Sequence, residues 1–194
     1  RMLPGYAGAW MVLHEVSFGI GSYSNHNRNT RTKVFSCGDA WWEHTVDVSA
    51  DFATKLNLLG QLGLSGDLTS FSEETIRIVQ RAISFYTSHQ DFMGRSICHL
   101  LTAVQKLNDI TGWTAMQYEN VDGKGSVLFV FRLVDDAEDL LVFPKNLSME
   151  QMYRVVCDGT EVGIMTGAEI AAQGLEVTCA TRYSGKILEL LPQG

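Results

Sequence analysis

The spacing of hydrophobic positions changes near residue 112. Before this point apolar residues recur at helical intervals, as in Ile76, Val79 and Ile83. After it, short runs rich in β-branched and aromatic residues alternate with turn residues. The pattern predicts an α/β part over residues 1–112 and an antiparallel β-sandwich over residues 113–194.

The clearest unit of the first part is an apolar strand, a glycine-rich segment at residues 60–67 and a helix reaching about Tyr86. Ser70 and Glu73 have the spacing of a capping box, and Ser72 is an equally good N-cap. Ala82 and Phe85 belong to a second apolar line beside the first. A stripe of this width predicts a helix that is buried against a sheet.

Two other stretches have helical spacing. Residues 45–56 predict a helix with Asp47 near its start. Residues 87–108 have apolar positions at helical spacing with an interruption at Gly94, which predicts a helix, a break and then a second helix or a turn.

The second part predicts six short strands separated by turns. They are expected at residues 114–119, 126–133, 140–143, 152–157, 175–181 and 186–190. Residues 168–172 predict a single helical turn that Gly174 ends.

Composition and charge narrow the class of protein. The chain has 194 residues, 45% hydrophobic and 19% charged, as globular proteins have. A net charge of −7 argues against a nucleic-acid partner and against an anionic membrane surface. The N-terminus has neither an initiator Met nor the apolar core of a signal peptide, so we expect a processed, tagged or truncated end and a cytoplasmic location.

The four cysteines are widely spaced and include no C-x-x-C pair. This spacing is typical neither of a zinc site nor of a disulfide-rich scaffold. We expect buried free thiols, no metal and no cofactor. Cys157 and Cys179 are the pair whose predicted strands would let them face each other.

The most unusual segment contains two adjacent tryptophans, Trp41 and Trp42, flanked by Asp39, Glu43 and His44. Indole rings stack on the apolar faces of sugars, and carboxylates accept hydrogen bonds from sugar hydroxyls. The segment therefore indicates a carbohydrate site. Tryptophans are also common anchors of cores and interfaces, and this alternative stays open.

Several segments together resemble the C-terminal third of the melibiase-type α-galactosidases, glycoside hydrolase family 36. In the first part, the resemblance lies in the polar segment 24–30 with Asn25 and His26, in residues 60–67, in Ser72-Glu73-Glu74 and in residues 83–86. In the second part it lies in Tyr118, Gly125, Val130-Phe131-Arg132, Tyr153, Thr166-Gly167-Ala168-Glu169 and Gly174-Leu175. The tryptophan segment has no counterpart in the family pattern.

The resemblance implies the last strand–helix units of a (β/α)8 barrel followed by a β-sandwich. It also implies retaining hydrolysis of terminal α-galactosides by an intact enzyme, with two carboxylates about 5 Å apart. The family's two catalytic aspartate motifs do not occur in this chain. We therefore expect them upstream of Arg1, leave the catalytic residues unassigned and expect the chain alone to be inactive.

The implied partners are an α-galactoside and either further copies of the chain or the missing N-terminal part. Asn25 and His26 join the tryptophan segment as candidate substrate contacts. One alternative is a standalone carbohydrate-binding or interaction module that uses Trp41 and Trp42. Another is a divergent glycosidase with Asp39, Glu43 or Asp47 as catalytic groups.

Overall fold

A computed structural model describes residues 32–33, 47–59, 62, 71–103 and 111–194. The chain forms two compact units that interleave along the sequence. The first comprises residues 1–89 and 105–110, and the second comprises residues 90–104 and 111–194. The boundary predicted at residue 112 stays a prediction.

In the first unit, strands β1 (Thr32–Lys33) and β2 (Asp47–Val48) pair in antiparallel fashion. Helix α1 (Ala50–Asn57) follows, and the hydroxyl of Ser49 caps it by accepting a hydrogen bond from the Phe52 amide at 3.1 Å. The helix predicted from residue 45 therefore begins later than expected. Residues 47–48 are extended, and the serine N-cap fixes the start.

Helix α2 (Glu73–Gly94) continues without a break through the helix predicted to about Tyr86 and the helix predicted between residue 87 and Gly94. The Thr75 amide donates to the Ser72 hydroxyl at 3.1 Å, and Glu73 and Glu74 occupy the first turn. Ser72 is therefore the N-cap, which confirms one of the two predicted caps. Ser70 lies outside the described residues.

The buried side of α2 is narrower than the apolar stripe predicted. Thr75, Val79 and Ala82 are buried, whereas Ile76 and Ile83 are 40% and 41% exposed. Each exposed isoleucine follows a buried position by one residue, about 100° around the helix, which turns it away from the buried side.

The second unit contains an antiparallel six-stranded sheet in the order β3-β4-β5-β10-β7-β8 and a two-stranded antiparallel sheet, β6-β9. The strands are β3 (Ser96–Leu100), β4 (Trp113–Asn120), β5 (Ser126–Arg132), β6 (Asp139–Val142), β7 (Met152–Cys157), β8 (Thr160–Thr166), β9 (Leu175–Thr178) and β10 (Ser184–Pro192). Helix α3 (Gly167–Gln173) lies between β8 and β9 in the chain.

The predicted antiparallel β domain is confirmed, and the six predicted strands correspond to β4, β5, β6, β7, β9 and β10. The helix or turn predicted after Gly94 is wrong at its start, because Ser96–Leu100 is strand β3. This strand pairs with β4 from Ser96 opposite Asn120 to Leu100 opposite Met116. Pairing with a strand further along the chain overrides the local helical period.

The main core lies between one face of the large sheet and the layer formed by the small sheet and α3. Its buried residues are Trp113, Ala115, Leu128, Val130, Val142, Tyr153, Val155, Ile170, Leu175, Val177, Cys179, Leu188 and Leu190. Alternate residues of β4 and β5 supply it, as period-two side-chain geometry requires. Met116, Phe129 and Phe131, whose side chains point to the opposite face, are also fully buried.

Among the described residues, no helix is long and apolar enough to cross a membrane. Of the glycine-rich segment at residues 60–67, only Leu62 belongs to the described residues.

Candidate functional site

The predicted substrate contacts lie outside the described residues. They are Asn25, His26, Asp39, Trp41, Trp42, Glu43 and His44. The carbohydrate site built from them stays a prediction.

Within the described part, a polar cluster lies where β3 and β4 meet the loop 143–151 between β6 and β7. His99 Nε2 lies 2.6 Å from Glu119 Oε2, and the side-chain amide of Asn146 donates to the same oxygen at 2.9 Å. The side chains of His99 and Glu119 are 17% and 26% exposed, so this pair is largely shielded from water. Glu119 thereby ties the loop to the sheet.

Gln117 reinforces this attachment from inside the core. It is fully buried, and its side chain forms two hydrogen bonds with the main chain of Lys145. The Gln117 amide donates to the Lys145 carbonyl at 2.9 Å, and the Lys145 amide donates to Gln117 Oε1 at 2.7 Å. The side chain of Gln117 thus gives the main chain of Lys145 the pair of hydrogen bonds that a neighbouring strand would otherwise supply.

A histidine beside a glutamate is a common acid–base pair. Here, however, the bonding atoms of the pair are directed at each other and at Asn146. The arrangement fixes the loop 143–151.

Arg132 is a second residue that connects loops by hydrogen bonds, and it belongs to the segments that carry the family resemblance. Its guanidinium is buried and donates to the carbonyl oxygens of Asp135 and Cys179. It thereby connects the β5–β6 and β9–β10 loops.

Other residues of the resemblance hold turns and close contacts. Gly125 has φ +99°, and a Cβ atom there would overlap the Leu190 carbonyl oxygen. The Ser148 amide donates to the hydroxyl of Tyr153 at 3.1 Å, and Gly167 packs against the Ser148 carbonyl. These described residues of the family resemblance therefore support turns and close packing.

Helix α3 begins with a complete capping box. The Glu169 amide donates to the Thr166 hydroxyl at 3.1 Å, and the Thr166 amide donates to Glu169 Oε2 at 2.7 Å. The hydroxyl of Thr166 also donates to Glu169 Oε2, at 2.8 Å, and the two bonds from Thr166 to this carboxylate, the main-chain one first, lower the pKa of Glu169. Gly174, at φ +72°, ends the helix as predicted.

The β7–β8 turn is fastened to β10 through Asp158. Its carboxylate accepts from Lys186 Nζ at 3.0 Å and from the Ile187 amide at 3.1 Å. The hydrogen bond to Asp158 raises the pKa of Lys186. Asp158 and Gly159 have φ +48° and +80°, the left-handed values of a tight hairpin turn.

Among the described cysteines, Cys98 carries a free thiol. Burial raises the pKa of the Cys98 thiol to about 11. Within the described ranges, no three His, Cys, Asp or Glu side chains come close enough together to hold a metal ion.

Comparison with solved structures places this fold among those of α-galactosidases. The α-galactosidase from Lactobacillus brevis matches 81% of this chain with a TM-score of 0.65 and 15% identity. The glycoside hydrolase family 36 α-galactosidase AgaA from Geobacillus stearothermophilus matches 73% with a TM-score of 0.61 and 17% identity. The galactosidase domain of the α-galactosidase-sucrose kinase AgaSK matches 73% with a TM-score of 0.62 and 14% identity.

The chain spans about a fifth of the length of these proteins: 21%, 19% and 19%, respectively. No protein-family model and no curated protein matches it. At these identities the likeness shows a shared fold. The resemblance inferred from sequence segments is thus supported by the structure, and the match to a small part of each enzyme agrees with a C-terminal portion.

The hydrogen bonds between Gln117 and Lys145 and between His99 and Glu119 were not predicted from the sequence. Gln117 and Lys145 are 28 residues apart, and His99 and Glu119 are 20 residues apart, so these pairs leave no local pattern. Strand β8 was also missed, although a signal exists. Thr160, Val162, Ile164 and Thr166 are β-branched residues at every second position after an Asp-Gly turn, which is typical of a hairpin strand.

Proposed function

We propose that this chain is the C-terminal portion of an α-galactosidase-like glycoside hydrolase. Residues 1–112 would form the last strand–helix units of a (β/α)8 barrel, and the β domain would follow them. The single observation that carries the proposal is the fold shared with several α-galactosidases over 73–81% of the chain.

The extent of the match supports a barrel contribution. The second unit makes up about half of the chain. A match that covers 73% or more therefore also includes residues of the first unit.

The intact enzyme would hydrolyse terminal α-galactosides with retention, through two aspartates about 5 Å apart. These aspartates would be supplied by sequence upstream of this chain, because the family's two aspartate motifs are not found in it. The role of the β domain would be structural. The buried side chains of Arg132 and Gln117, which hold its loops by hydrogen bonds, support this role.

The test compares this chain with a protein extended through the upstream coding sequence. The extended protein should release nitrophenol from a nitrophenyl α-galactoside and yield the α-anomer first, as NMR would detect. The matched β-galactoside and α-glucoside serve as controls, and the chain alone should be inactive.

Two results would contradict the proposal. One is an extended, folded protein that has no α-galactosidase activity. The other is activity of the chain alone that Glu43→Gln or Asp39→Asn abolishes, which would favour a divergent enzyme. The carbohydrate-binding module based on Trp41 and Trp42 stays a prediction.

A further inference from the structure

We draw no further inference here: the strongest candidate, the exposed apolar edge of the six-stranded sheet formed by Val162 and Ile164 of β8 with Met152 of β7, carries nothing because nothing in the structure shows what covers it.

Discussion

Arg132 and Cys179 are joined by a hydrogen bond of 2.6 Å from the guanidinium to the main-chain carbonyl, across 47 residues of sequence. Both residues are buried, with 5% and 3% exposure. The carboxylate of Glu138 lies 3.8 Å from the guanidinium, and the Glu138 side chain is 59% exposed. Main-chain carbonyls therefore satisfy most of the hydrogen-bonding capacity of this buried cation.

Replacing Arg132 with Met should destabilise the β domain. The carbonyls of Cys179 and Asp135 would lose their donors, and each buried unsatisfied acceptor costs about 1–3 kcal/mol. We expect the free energy of unfolding in urea to fall by about 2–4 kcal/mol.

Arg182→Met is the matched control. Arg182 donates to the carboxylate of Asp136 at 2.7 Å, and its side chain is 53% exposed. Exposed ion pairs contribute about 0–1 kcal/mol, so this variant should unfold almost as the parent does. Equal, small effects of the two substitutions would contradict the structural role of Arg132.

The Gln117→Met variant should loosen the loop 143–151. The substitution keeps the volume of the side chain but leaves the amide and carbonyl of Lys145 without their buried partner. We expect a loss of about 1–3 kcal/mol in unfolding free energy and faster amide hydrogen exchange in this loop.

Asn146→Gly is the control for this loop. It removes the hydrogen bond to Glu119, and glycine accepts the φ of +58° without strain. Its effect on exchange at Lys145 should be clearly smaller. Unchanged exchange in the Gln117→Met variant would show that the loop is held by other contacts.

The hydrogen bonds of Arg132 and Gln117 could not be predicted from the sequence, whereas other elements could. Strand β7 was predicted with both ends correct, and α3 with its terminating Gly174, because local signals define them. An alternating run between turn residues and a glycine in the left-handed region act over a few residues.

Strand β3 and the hydrogen bonds of Gln117 with Lys145 depend on partners that are distant in sequence. Leu100 and Leu101 fit a helix by spacing, but the backbone of Ser96–Leu100 pairs with β4 instead. The buried position of Gln117 contradicts the usual exposure of glutamine, and its hydrogen bonds to Ser126 and to the main chain of Lys145 explain it. The candidate substrate contacts stay predictions because they lie outside the described residues.

Gly125→Ala should be strongly destabilising. Its φ of +99° is unfavourable for alanine, and a Cβ atom there would overlap the Leu190 carbonyl and approach the Pro192 ring. Strain and overpacking each cost about 1–3 kcal/mol, so we expect a loss of about 3 kcal/mol or more in unfolding free energy.

The Gly123→Ala variant separates the cost of backbone strain from the cost of steric overlap. Gly123 also has a positive φ, +74°, but nothing lies within 4 Å of the added Cβ. Only the backbone cost of about 1–2 kcal/mol should remain. If both variants lost the same stability, the close approach of Leu190 would be of no consequence.

Cys98 should react slowly with thiol reagents in the folded protein. Burial raises its pKa from 9.0 to about 11, and only the thiolate is nucleophilic. Near pH 8 we expect labelling by iodoacetamide, followed at the Cys98 peptide by mass spectrometry, to be about 100-fold slower than in urea-unfolded protein. Equal rates in the two states would mean that the thiol is not shielded.

The capping box of α3 should give the protein a measurable acid sensitivity. Glu169 accepts hydrogen bonds from the amide and the hydroxyl of Thr166, at 2.7 and 2.8 Å, and both lower its pKa in the folded state. A carboxyl group whose pKa is lowered by folding contributes stability above its unfolded pKa, about 4.3 for Glu. That contribution is lost as the pH falls through the folded value.

Glu169→Gln should therefore lower the unfolding free energy at pH 7, and the difference from the parent should shrink as the pH falls below about 4.3. Urea denaturation at a series of pH values from neutral to acidic would measure this. Glu176→Gln, at an exposed glutamate of β9 outside the capping box, is the control and should change little throughout the series. A Glu169→Gln difference that stays constant down to the lowest pH would show that the charge of Glu169 does not stabilise the cap.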